Sequence, residues 1–223
     1  MRLRAALPVV LLAACSQSPG APSGEPSGVV TPAVTPTPDK PHTLVPADLA
    51  TLKLGGKVKG SDSEGKFVSD GLTIATVASY VACPEGIAVC DPKALPPDTV
   101  YTYVHRVTPG KAVLSATLFR TARPASGFAN GIGYSNAEAA AALGPSGQID
   151  TEADNGALVW RVVGGDGWKA GEAITLYWQS TLPPAAKPAD AYMVETDGSV
   201  AIGNGPFPAA QKPVDASVDP SEK

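Results

Sequence analysis

Two histidines, two methionines and three cysteines occur among 223 residues, and only 17 % of the chain is charged. Each scarcity removes a class of function. General acid and base catalysis needs titratable groups brought together, and His105 is the one histidine outside the Pro-rich N-terminal stretch that holds His42. A zinc site wants more Cys or His ligands than such a chain supplies. Lys and Arg are scattered singly and the net charge is -4, so no basic face offers itself to nucleic acid. No Gly-x-Ser-x-Gly elbow is found; Pro124-Ala125-Ser126-Gly127 comes nearest and lacks the first glycine. The run Gly164-Gly165-Asp166-Gly167-Trp168-Lys169-Ala170-Gly171 lacks the Gly-Lys-Ser/Thr ending and following helix of a phosphate loop. These residues assign no catalytic group, no metal site and no cofactor.

What the chain does have begins at its start. Met1-Arg2-Leu3-Arg4 is a short cationic segment, and Ala5 to Leu12 is apolar but far below the roughly 20 residues that a membrane-spanning helix needs. The order fits a cleaved signal of residues 1–14. Leu12-Ala13-Ala14-Cys15 resembles the lipobox of bacterial lipoprotein precursors, over residues 1–16, in residue types, order and distance from Met1. That resemblance implies lipidation of Cys15 and a membrane partner reached through the acyl chains. Each buried methylene adds about 0.8 kcal/mol, so attachment by more than one chain is stable. Ser16, where Asp commonly favours inner-membrane retention in Gram-negative lipoproteins, implies the outer membrane if the organism has one. An ordinary secretory signal, cut after an Ala-x-Ala-like site, is the alternative. Loss of Arg2 and Arg4 takes the 17 basic residues to 15 against 21 acidic, and the net charge from -4 to -6.

With Cys15 given to lipid, Cys83 and Cys90 are left as a pair for a disulfide. A loop this short contributes about 2.5 kcal/mol in the chain-entropy model, which pins Pro84 to Val89 locally. Two free buried thiols or a weak metal pair are the other options.

Residues 15–46 comprise the lipidated Cys and a stretch rich in Pro, Ser, Thr, Gly and Ala that has almost nothing to bury and reads as a disordered tether. It spans about 95 Å if extended and roughly 30 Å as a coil. Residues 209–223, with Pro213 and Pro220, read as a second disordered end.

Between them, residues 47–208 alternate with a period of two. Tyr101 to Val107 reads as a strand ended by Thr108-Pro109-Gly110, and Ala112 to Arg120 follows as the second arm of an expected hairpin, with Leu114, Ala116 and Leu118 on one face. Asp154-Asn155-Gly156 predicts a type I′ turn joining Gln148 to Glu152 with Ala157 to Val163. Thr196-Asp197-Gly198 predicts a third hairpin, and Phe67-Val68 and Leu72 to Ala82 supply further strands. Ser135-Asn136-Ala137-Glu138 has the form of a capping box opening a two-turn helix that Gly144-Pro145 stops. Many short strands with one small helix predict an antiparallel β-sandwich of immunoglobulin-like or jelly-roll type.

Function is read from what this domain displays. His105 shares a strand face with Tyr101, Tyr103 and Val107, which suits a satisfied structural histidine before a ligand contact. Trp160 and Trp178 alternate with apolar neighbours and read as core, whereas Trp168 sits in a turn-rich loop and is expected to be exposed, near Tyr177 and Gln179, as a sugar-stacking platform would be. The acidic loops Asp62/Glu64 and Asp150/Glu152/Asp154 carry oxygen for Ca²⁺ but lack EF-hand spacing and read as solvated faces. The leading expectation is a lipid-anchored, non-catalytic envelope domain that binds a glycan or protein partner or has a structural role, with no nucleic acid. An envelope hydrolase acting on glycan or ester bonds, and a carbohydrate-binding module, are the alternatives; His105, Trp168 and Tyr177 are the candidate contact residues.

Overall fold

A computed structural model describes residues 41–209. The signal segment, Cys15 and the stretches 16–40 and 210–223 lie outside the described residues.

In chain order the strands are β1 (His42–Leu44), β2 (Ala47–Asp48), β3 (Leu54–Lys57), β4 (Ser63–Ser69), β5 (Leu72–Pro84), β6 (Tyr101–Pro109), β7 (Ser115–Thr121) and β8 (Phe128–Tyr134). After the helix α1 (Asn136–Leu143) come β9 (Gln148–Asp154), β10 (Ala157–Gly164), β11 (Trp168–Lys169), β12 (Ile174–Ser180), β13 (Pro184–Ala186), β14 (Tyr192–Thr196), β15 (Val200–Gly203) and β16 (Phe207–Pro208). Two seven-stranded sheets result. One runs β1-β9-β10-β7-β14-β15 with β11 beside β7, and the other β2-β8-β12-β6-β5-β3 with β4 also beside β5. All pairings are antiparallel except β2 with β8. The expected β-sandwich with one short α-helix is what the described residues form.

Local signals act where they stand. Asn155 (φ 48°) and Gly156 (φ 78°) close the β9–β10 hairpin, with Asp154 opposite Ala157. Asp70 (φ 50°) and Gly71 (φ 79°) do the same for β4 and β5, a turn whose Asp-Gly signal belongs to the same class. The third expected hairpin is β14–β15.

The hairpin expected between Tyr101–Val107 and Ala112–Arg120 does not form. β6 has β5 on one edge and β12 on the other, so both of its hydrogen-bonding edges are taken. β7 therefore enters the opposite sheet between β10 and β14. The connecting arch is held by Gly110 N–H donating to Ile74 O at 2.7 Å, and it leaves Leu114 81 % exposed instead of aligned with Ala116 and Leu118 in the core.

The folded region also starts earlier than position 47. His42 pairs with Ala153 and Leu44 with Thr151, so β1 occupies the end of the stretch 15–46 read as tether. Pro41 and Pro46 flank these three residues and dominate the local composition, hiding a strand that only an available edge on β9 could recruit.

Ser135 caps α1, its Oγ accepting from Glu138 N–H at 3.3 Å. The capping box is only half used. Glu138 turns its carboxylate to Thr175 N–H at 2.6 Å on β12 and to the Arg106 guanidinium on β6, while Ser135 N–H donates to Thr175 O. Burial opposes ionisation of Glu138, but the hydrogen bonds from Thr175 and Arg106 outweigh it and hold its carboxyl below the usual range. The helix is thus riveted to the sheet by a charged acceptor. Glu138→Ala should lower stability by about 2 kcal/mol, the scale of hydrogen bonds to a charged group, read as a shift in urea midpoint. An unchanged midpoint would show that the rivet is idle.

Candidate functional site

The three residues singled out as contacts prove to be interior. His105 is 0 % exposed, and Trp168 and Tyr177 are each 1 % exposed. The expectation that Trp168 is displayed is corrected: β11 pairs Trp168 with Ala116, and its indole Nε1–H donates to Glu172 O at 2.6 Å. A turn-rich sequence suggested exposure, but the loop folds back on β7 and buries its one large ring. Tyr177 points away from the inter-sheet core, yet its hydroxyl donates to Ala47 O at 3.2 Å, and burial pushes its phenol up to about 12. No flat aromatic platform is left among these residues for stacking a sugar.

His105 sits where the two sheets meet. The Trp178 Nε1–H points at His105 Nε2 at 3.2 Å, which makes that nitrogen the acceptor. Nδ1 therefore carries the proton and donates to Ser79 Oγ at 2.9 Å. The ring lies 4.3 Å from Tyr192 and 5.6 Å from Phe119, centroid to centroid, both on the facing sheet. Tyr103 stacks on Trp178 at 4.5 Å, and Phe119 on Tyr192 at 5.4 Å. Such a ring is 0 % exposed and has both nitrogens engaged by protein partners. The structural reading of His105 is the one its contacts support.

Burial in this aromatic core lowers the pKa of His105 to about 3 from 6.5. The folded form thus prefers the neutral ring, while the unfolded chain takes up a proton below about 6.5. The resulting stability is complete above that value and is lost as pH falls toward the folded-state value. Between pH 7 and pH 5 this one group should remove about 2 kcal/mol of stability. Comparing thermal midpoints at the two pH values for the wild type and His105→Gln isolates the effect. If the slope survives in the variant, another group is responsible.

The acidic loops are engaged with cations. Asp62 pairs with Lys57 at 2.9 Å, Asp154 with Arg120 at 3.7 Å and Glu152 with Arg161 at 4.0 Å. Among the described residues no three of His, Cys, Asp and Glu converge in a metal-binding group.

Among the described residues a concavity of about 580 Å³ opens where the β7–β8 loop, the β9–β10 turn and β16 meet, at one pole of the sandwich. Sequence reading missed it because its wall is assembled from three distant segments: the Arg123–Phe128 loop, the Gly156 turn and the terminal Phe207–Pro208. Ala125 N–H donates to Gly156 O at 2.7 Å and Phe128 N–H to Ala125 O at 3.2 Å, making Ala125–Phe128 a tight turn with Gly127 at φ 68°. The segment resembling an incomplete nucleophile elbow is therefore a groove wall. Ser126 stands there without a histidine, and its carbonyl accepts from Ser180 Oγ at 2.8 Å. Arg123 is the one titratable side chain in the lining; its ion pair with Asp190, at 3.7 Å and largely solvated, is weak and exchangeable. Half-buried Phe128 supplies apolar surface, while Phe207 behind it is 3 % exposed and belongs to the inter-sheet core. Such a groove can hold a ligand by contact and by one cation, and it contains no acid–base pair.

No protein-family model matches the chain, and no curated protein or solved structure matches it either.

Proposed function

We propose that the chain is a lipid-anchored protein of the bacterial cell envelope whose β-sandwich is a non-catalytic binding domain, with the polar groove as its contact site. The observation that carries the binding reading is the groove lining: Arg123 is its sole titratable residue, beside Phe128, Phe207 and Pro208. Catalysis of glycan or ester hydrolysis would need a positioned acid or base, and His105 is committed to the core. The partner favoured by this lining carries an apolar group for Phe128 and a carboxylate or other anion for Arg123, as an envelope protein or an acidic envelope glycan can. The anchor rests on Leu12-Ala13-Ala14-Cys15, with Ser16 favouring the outer membrane where there is one.

Two measurements test the two halves separately. Cys15→Ser should move the protein from the membrane to the soluble fraction and remove the acyl mass; if it still sediments wholly with membranes, lipid is not the attachment. For the groove, titration with naphthalene-2-carboxylate should shift NMR signals of residues 123–128, 156 and 207. Arg123→Gln should then weaken the carboxylate about tenfold, equivalent to 1.4 kcal/mol, while leaving the neutral 2-naphthylmethanol unaffected. Shifts confined to other surfaces, or equal binding by the variant, would remove the groove from the account.

A further inference from the structure

The N-terminal part of the described chain crosses the outer face of the second sheet. β2 pairs with β8 at one edge of that sheet and β3 with β5 at the other, so residues 47–57 pass over β12 and β6 between them. Beneath this strap lies a row formed by Tyr177, Val104 and Tyr80, which are neighbours across β12, β6 and β5 and point away from the inter-sheet core. Val104 and Tyr177 are each 1 % exposed although they face outward, as covered residues must be, whereas Tyr80 at the end of the row is half-buried.

Each end of the strap has its own fastening. At the β8 edge, Ala47 O accepts from the Tyr177 hydroxyl, and Asp48 Oδ1 accepts from Asn136 N–H at 3.2 Å and Ala50 N–H at 3.1 Å. The far end is fastened to the loop that the Cys83–Cys90 disulfide closes, whose Cα atoms are 5.7 Å apart. Gly56 N–H donates to Ile87 O at 2.6 Å, and Val58 bridges to Cys90. Gly55 and Gly56 lie so close to this loop that a Cβ on Gly55 would collide with the Pro84 and Ile87 carbonyls, and one on Gly56 with the Ala88 carbonyl. Lys57 then reaches over the Tyr80 ring, 4.2 Å from its centroid. The ion pair Lys53–Glu85 is largely solvated and adds little. Backbone contact is the fastening: Gly56 to the closed loop, and β3 to the end of β5, with Val58 N–H donating to Val81 O at 2.8 Å.

We propose that the Cys83–Cys90 disulfide is a redox latch on this strap: closed, it presents the loop carbonyls to Gly55 and Gly56; reduced, it loosens the strap, with β2 and β3, and uncovers Tyr177 and Val104 while the remaining strands of both sheets stay paired. Opening requires a dithiol reductant. Its thiolate attacks one sulfur to form a mixed disulfide, its second thiol displaces that bond, and Cys83 and Cys90 leave as two thiols while the reductant becomes a disulfide. Cys90, 5 % exposed against 0 % for Cys83 and followed in the approach by exposed Val89, is the sulfur that a reductant reaches. The latch acts on the strap because the loop it closes touches Gly55 and Gly56, whereas β6 and β12 are held by two strands each.

Hydrogen exchange of the full-length protein, oxidised and after dithiothreitol, reads this directly. Peptides covering residues 47–58 should exchange at least tenfold faster after reduction, with less than a twofold change in peptides from β6, β12 and β14. The Cys83→Ser/Cys90→Ser double variant should reproduce that pattern. Should it fail to fold, Gly56→Ala with the disulfide intact lifts the strap through its clash with Ala88 O and should give the same local acceleration. A uniform acceleration across both sheets, or none at residues 47–58, overturns the latch.

Discussion

Close packing of aromatic rings between the sheets, with His105 hydrogen-bonded among them, is the constraint on which the architecture rests. Tyr103, His105 and Trp178 project from the second sheet and Phe119, Trp160 and Tyr192 from the first, and Phe207 closes against Trp178 and Tyr192 at 5.7 Å each. Rings of this size, truncated to alanine, typically cost about 3–5 kcal/mol each. Their polar atoms are all directed to partners: Tyr192 OH to Pro206 O, Tyr103 OH to Leu182 O, and Trp160 Nε1–H to Gly133 O. These bonds reach connecting segments and not neighbouring rings alone. The core therefore positions the loops at the groove pole, since Leu182, Pro206 and Phe207 are held there by it.

A consequence for function is that the most reactive-looking side chain is consumed by structure. A histidine whose nitrogens serve Trp178 and Ser79 contributes order to the interface, and its neutrality is enforced by the surrounding rings. At the pole, Arg123 is the one titratable side chain in the groove lining, with its Asp190 partner 3.7 Å away and outside that lining.

The N-terminal segment ties the two sheets together. β1 completes the edge of the first sheet and β2 the edge of the second, only Val45 and Pro46 separating them. A bridge spanning seven positions in sequence has little power over the global fold, but its carbonyl contacts give it leverage over the strap.

Features that depend on a few adjacent residues were legible in the chain itself. The Asn155-Gly156 turn, the Ser135 cap with its Gly144 stop and the two-residue alternation of β12 follow from local sterics and hydrogen bonding, which need no distant partner, and the Cys83–Cys90 pairing was legible only by counting cysteines once Cys15 was assigned to lipid. Tertiary structure alone decided which edges were free. That choice sent β7 into the opposite sheet, recruited His42–Leu44 out of a Pro-rich stretch, turned Glu138 from its cap to Thr175, and buried Trp168 and Tyr177. The groove belongs to the same category, since Arg123, Gly156 and Phe207 are brought together by strand pairing between segments far apart in sequence, and no local pattern encodes a meeting that depends on every strand between them.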